Sequence, residues 1–169
     1  FPDGMLPADQ KETPELDDEL TALTSNLRTS YEHQMEQYAF QNALTEVFRV
    51  IGRANKYIDE NAPWVLAKDA DNLPRLARVM YNLLEALRVC GVLLTPFIPA
   101  SAAEVLRQIG APTSVQTWQS AGESGLLPKD ATVVRGDNPF PRIDLQKELE
   151  ELERAAEEAK KASLPDVEL

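Results

Sequence analysis

The sequence has one cysteine, Cys90, and one histidine, His33. A disulfide within the chain and a cysteine-rich zinc site are thereby excluded. A metal would have to be held by carboxylates or with a partner's help, and a Ser-His-Asp triad would have only His33 to draw on. No apolar run approaches the ~20 residues that a membrane-spanning helix needs. There is no phosphate-gripping loop: Gly122 and Gly125 stand alone and precede neither a Gly-Lys-Ser/Thr triplet nor a predicted helix. Glycine is scarce, seven residues against twelve prolines, which points to sharp element boundaries rather than flexible low complexity. The acids Glu148, Glu151 and Glu158 fall on a periodic polar face and read as solvated surface. Cys90 lies in an apolar stripe and reads as a small buried hydrophobe; His33 sits in a polar turn and reads as a surface residue. Nothing in these residues supports catalysis by this chain alone.

What is present suffices for one folded domain with a tail. The 169 residues are 43% hydrophobic and 27% charged. The opening Phe1-Pro2-Asp3-Gly4-Met5 resembles neither a signal peptide nor an initiator and reads as a cut inside a longer protein. The net charge of −11 is unevenly spread. Residues 1–26 hold seven acids and one base, residues 144–169 nine acids and four bases, and the middle twelve of each. The middle is neutral, so contact with a nucleic acid would rest on stacking and shape more than on a strong field.

Periodicity points to helices throughout. Thr13-Pro14-Glu15 carries a hydroxyl cap, a proline at the first helical position and an acid near the positive dipole end. Leu16, Leu20, Leu23, Leu27 and Tyr31 then mark one face of a first helix, which a polar link around 32–37 is expected to end. Phe40, Leu44, Val47, Phe48, Ile51, Ala54, Tyr57 and Ile58 mark a second, interrupted by Pro63. A third, capped by Asp71 or Asn72 with Pro74 in its first turn, has a wide apolar stripe from Leu76 to Leu94 suited to the centre of a bundle. A fourth runs from about Ala100 to Ile109, with Gly110 in the stop position. Residues 111–143 lack periodicity and are expected to pack over the bundle. Asp144 caps a last helix with Leu145, Leu149, Leu152, Ala156 and Ala159 on one side. The fold class is all-α: an antiparallel bundle of four to five helices with a long irregular segment before the last.

One segment stands apart. Residues 52–68 place Arg53, Asn55, Lys56 and Lys68 around Trp64, which follows the helix-breaking Pro63. Two readings are open. Trp64 plugs the end of the bundle, which periodicity alone favours, or it stands exposed and stacks on an unpaired base. Tyr57 and Ile58 read as core in either case.

The stretch Asn55-Lys56-Tyr57-Ile58-Asp59-Glu60-Asn61-Ala62-Pro63-Trp64-Val65-Leu66-Ala67-Lys68 resembles the signature of the anticodon-binding domain of methionyl-tRNA synthetases. Phe40-Gln41-Asn42-Ala43-Leu44, Leu94-Thr95-Pro96-Phe97-Ile98-Pro99 and Phe140-Pro141-Arg142-Ile143-Asp144 resemble its flanking motifs, in order, across roughly residues 4–162. The resemblance implies a bundle that docks on the anticodon loop of methionine tRNA, with the tryptophan matching Trp64 stacked on an anticodon base and the proline matching Pro63 fixing it. With the polar and basic residues around that ring, the expected nucleic-acid-binding set is Trp64, Pro63, Asn55, Arg53, Lys56 and Lys68. It divides the chain into an anticodon-binding domain at 1–143, a helix at 144–162 that packs back toward a catalytic Rossmann domain, and a tail or linker at 163–169.

The family's "HIGH" and "KMSKS" nucleotide motifs do not occur here. Aminoacylation and ATP are therefore expected in that other domain, with no cofactor in this piece and a cytoplasmic setting. The family's asparagine and arginine readers lie on the helix that enters this domain. They are expected before Phe1, and without that helix an apolar face should be left uncovered. The alternative reading is a helical protein–protein module that binds no RNA.

Overall fold

In the computed structural model, which describes residues 1–163, every element of ten residues or more is a helix. They are α1 (Pro14–Glu36), α2 (Phe40–Asn61), α4 (Leu73–Leu94), α5 (Pro99–Gln108) and α6 (Leu145–Ser163), with a single turn, α3 (Pro63–Leu66), between α2 and α4. No strand occurs among the described residues; an isolated bridge pairs Met5 with Thr132. The chain forms two compact units, Phe1–Pro139 and a second from Phe140 onward.

The first unit is the bundle. α1 and α2 form an antiparallel hairpin through the tight turn at 37–39, where Tyr38 takes a left-handed φ of 57°. α4 packs against both, and its stripe is the centre of the core as its sequence implies. Leu20, Leu27 and Tyr31 of α1, Val47, Val50 and Tyr57 of α2, and Val79, Val89, Cys90 and Leu93 of α4 are buried together. Burial pushes the Cys90 thiol up to about 12, which keeps it protonated and inert. His33 is exposed.

Helix ends depart from the expected chemistry in two places. Thr13 does not cap α1 with its hydroxyl. The Asp17 carboxylate reaches back instead and accepts from the Thr13 N–H at 2.9 Å. Neither Asp71 nor Asn72 caps α4 through its side chain; the preceding 3-10 turn, Ala70–Asn72, is capped by Asp69, which accepts from the Asp71 N–H. The other stops follow the sequence. Gly110 sits at φ +68° after α5, where a Cβ would strike the Thr132 carbonyl. Asp144 Oδ1 accepts from the Gln146 and Lys147 N–H groups at the start of α6.

The irregular segment does pack over the bundle, and two charges on α4 hold it. Arg88, wholly buried, donates to the carbonyls of Val115, Ser120 and Glu123 while paired with Glu85. Glu85 in turn accepts from the N–H groups of Gly125, Leu126 and Leu127. Backbone without regular structure still needs partners when buried, and here one ion pair supplies six of them.

In the second unit, α6 presents Leu145, Leu149 and Leu152 to solvent. The tail foreseen at 163–169 begins inside α6, since Ser163 is helical; 164–169 lie outside the described residues.

Candidate nucleic-acid interface

α2 runs to Asn61 and then turns sharply. Ala62 adopts φ 43°, ψ 63°, a left-handed conformation that costs a residue with a Cβ roughly 1 kcal/mol. A residue before proline is expected to be extended; here the Ala62 N–H still closes the last helical turn on the Ile58 carbonyl at 2.9 Å. Pro63 then opens α3, where its missing N–H leaves no helical bond unmade. The turn closes through Val65 and Leu66 N–H groups on the Ala62 carbonyl. Trp64 and Val65 thus project from a rigid corner rather than from a loop.

Trp64 is 56% exposed. This overturns the reading of Trp64 as a plug for the bundle end. The other tryptophan, Trp118, sits beside Tyr31 and under Arg28 on the second half of α1. The α2–α3 corner is tied to the first half of α1 through Asp17 and Tyr57. The two indoles therefore occupy opposite ends of the bundle.

The remaining residues singled out in the sequence separate into two groups. Asn55, Lys56 and Lys68 are exposed and Pro63 half-buried, all on the corner or the last turns leading to it. Lys56 is close to Glu60, 3.6 Å away. Lys68 has no carboxylate at ion-pair distance among the described residues, and is the least neutralised cation of this stretch.

Arg53 does not belong with them. Its side chain is 7% exposed, and its guanidinium is 2.7 Å from Glu19 and 2.9 Å from Glu60 and lies over the Tyr57 ring. The reason is register: Ala43, Val47, Val50, Arg53, Tyr57 and Asn61 are the buried face of α2. A cation on that face is turned into its own fold, and two of its nitrogens, Nε and Nη1, are buried without a hydrogen-bond partner. Ile58 departs from expectation less: it is half-buried and lines, with Asn55, an apolar groove of about 230 Å³ between α2 and α4. Ile51, Met80, Leu83 and Leu87 are among the residues of its walls.

Behind the corner lies a buried polar cluster that the sequence did not announce. Arg75 of α4 donates to both Asp17 oxygens at 2.8 Å, to the Lys11 carbonyl at 3.3 Å, and to the Asn61 side-chain oxygen. Asn61 donates to the Tyr57 carbonyl at 2.8 Å, Tyr57 donates its hydroxyl proton to Asp17 at 2.6 Å, and Asn82 donates to the Tyr57 oxygen. Burial pushes the Asp17 carboxyl up, but the Arg75 bond, the Thr13 N–H and the Tyr57 hydroxyl outweigh it and hold it below the usual range. Burial and the adjacent Asp17 carboxylate push the Tyr57 phenol well up, so it stays a neutral donor.

Residues 6–159 match the family model described as the anticodon binding domain of methionyl tRNA ligase. The chain belongs to that family. It is 43% identical over 159 residues to the methionine–tRNA ligase of Caldanaerobacter subterraneus subsp. tengcongensis, covering 94% of this chain and 25% of that protein. It is 42% identical over 149 residues to that of Clostridium tetani, covering 88% of this chain and 23% of the relative. The chain thus spans about a quarter of the length of these curated relatives. Among solved structures, Mycobacterium tuberculosis methionyl-tRNA synthetase in complex with methionyl-adenylate superposes with a TM-score of 0.76 at 26% identity, over 83% of this chain and 28% of that one.

Proposed function

We propose that this chain is the part of a methionine–tRNA ligase that docks on the anticodon loop of methionine tRNA, while a Rossmann catalytic domain of the same cytoplasmic enzyme carries out the ATP-dependent aminoacylation. The observation that carries this reading is the exposed Trp64 indole on its proline-braced corner. A flat ring held outside the core by rigid backbone is ready to receive an unpaired base without ordering cost. Pro63 sets the corner, Lys68 and Lys56 offer charge to nearby phosphates, and Asn55 offers an amide at the mouth of the apolar groove. Arg53 supports the corner from inside. That groove is, on this reading, the seat of the helix that enters the domain in the full-length enzyme.

The test is a titration of the 169-residue chain with the anticodon stem-loop of methionine tRNA, and with the same stem bearing a permuted anticodon, at several salt concentrations. Binding should favour the methionine loop, and log affinity should fall linearly with log salt by ~0.7–0.9 per phosphate engaged. With few free cations at the corner, a slope corresponding to only one to three phosphates is expected. Equal binding of both loops, or none to either, would leave the protein–protein module as the better account.

A further inference from the structure

The corner that carries Trp64 is bounded by two buried side chains bonded to one another. Asn61 is the last residue of α2, and Arg75 lies in the first turn of α4. The segment between them, 62–74, contains the Ala62 turn, α3 and the 3-10 turn, and its side chains at 64, 65 and 67–71 are exposed. Within it Leu66 is half-buried against the core, but the exposed residues on either side add little further apolar burial to fix the segment. Its base supplies a polar tie. The Arg75 guanidinium donates to the Asn61 side-chain oxygen, while the Asn61 amide donates to the Tyr57 carbonyl one turn back. Arg75 is itself immobilised by two bonds to Asp17 and one to the Lys11 carbonyl, and the Lys11 N–H donates to the Pro74 carbonyl at 2.9 Å. Asn61 and Arg75 are 7% and 8% exposed, too deep to touch a ligand.

We propose that Asn61 and Arg75 are positioning residues for the Trp64 ring: their buried bond closes the base of segment 62–74 and holds the left-handed Ala62 corner from which the indole projects. This rests on the reading of Trp64 as the stacking ring. Closing a loop at its base removes conformations the ring would otherwise have to give up on binding. The cluster therefore acts on affinity through the order of the indole, not through contact with RNA. Core packing alone does not require an asparagine at the end of α2, where an apolar side chain of the same size would fill the space.

The experiment uses the 169-residue chain with Trp118→Phe, so that Trp64 is the sole indole. Asn61→Ser retains a donor for the Tyr57 carbonyl but is too short to reach Arg75; Asn61→Gln retains both groups. Time-resolved anisotropy reads indole motion on the nanosecond scale, and titration with the methionine anticodon stem-loop reads affinity. Asn61→Ser should add a fast, large-amplitude component to the Trp64 decay and weaken RNA binding about tenfold, within the range that one base stack is worth. Asn61→Gln should restore both. In a Trp64→Ala background, Asn61→Ser should change affinity less than about twofold, because the ring it acts through is gone.

If Asn61→Ser does not melt cooperatively, Arg75→Lys replaces it, since lysine keeps a charge opposite Asp17 but lacks the fork that reaches Asn61 as well. An unchanged Trp64 decay in either folded variant overturns the proposal. If the parent chain binds neither stem-loop, the functional reading fails, and the anisotropy still decides whether the bond positions the ring.

Discussion

Truncating the exposed indole should separate binding from folding. With Trp64 56% exposed, on the order of 100 Å² of its ~250 Å² is removed from water. At ~25 cal/mol/Å² that burial is worth about 2.5 kcal/mol as an upper bound, and less once the unfolded chain is granted some burial of its own. Alanine keeps part of the contact, so Trp64→Ala should cost about 1–2 kcal/mol, against the ~5–15 kcal/mol that keeps a domain folded. A base stack is worth ~1–3 kcal/mol, so the same variant should lose about tenfold to a hundredfold in affinity for the anticodon stem-loop. Trp64→Phe, which keeps a flat ring, should lose less. The internal control is Trp118→Ala at the other end of the bundle. Trp118 is 39% exposed, so its truncation removes more buried area and should destabilise at least as much, with affinity unchanged. Thermal melts and fluorescence titration of the labelled stem-loop provide both readings. Binding by Trp64→Ala within twofold of the parent, or an equal loss in Trp118→Ala, would refute the assignment of stacking to Trp64.

Two further outcomes follow from the charges on and around α4. Replacing Arg88 by methionine leaves Glu85 buried without its cation and strips the Val115, Ser120 and Glu123 carbonyls of their donor. Destabilisation of about 3–5 kcal/mol is expected in urea melts, with protease cleavage appearing first in 113–127. Asp17 sets an acid dependence. Its folded pKa is depressed below the ordinary 3.8, so its contribution is complete above about pH 4 and is lost as pH falls through the folded value. Melting temperature should therefore decline below about pH 4. Asp17→Asn should be less stable at pH 7 and show a shallower decline in that acid window. A variant with the parent's acid profile would place the titration elsewhere, with Glu104, held down to about 2 by Arg107, the first alternative.

Hydrophobic spacing made the helices legible because apolar residues recur at three and four along each of them, although Phe40 and Phe48 of α2 and the leucines of α6 are exposed. The Leu76–Leu94 stripe identified the central helix for that reason. The same rule, applied to α2, contained the information that places Arg53 on the buried face of the helix: 43, 47, 50, 53, 57 and 61 form one line. A cation in the middle of a buried line is a buried cation, whatever its neighbours in sequence suggest. The signal was present and was outweighed by the proximity of Arg53 to Trp64 along the chain. Asn61 is on the same line and could have been read in the same way. Arg75 could not. Its importance lies in partners at Asp17, 58 residues away, and at Asn61, and no periodicity in one helix carries such distant pairings. Nor could Trp64 be assigned from its spacing. One ring after a proline is compatible with a plug or a platform, and only the left-handed corner at Ala62 turns it outward.

α4 explains how one helix can serve two ends of the molecule. Its apolar stripe builds the core, and its polar side chains are buried in two separate clusters: Arg75 and Asn82 toward the Trp64 corner, and Glu85 and Arg88 toward the irregular segment. Burying so many polar groups contributes little net stability, because desolvation offsets most of what the bonds return. Their value is geometric. Each satisfied guanidinium admits one arrangement of the backbone around it, whereas an apolar contact tolerates several. Segments with no more than single helical turns of their own, 62–74 and 113–127, are the ones to which these side chains reach. In a chain carrying eleven net negative charges, long-range attraction contributes little to capturing an anion. On the proposed reading, affinity would come from surfaces already in their bound shape, and buried ionic ties at the base of exposed corners would be a means of holding them there.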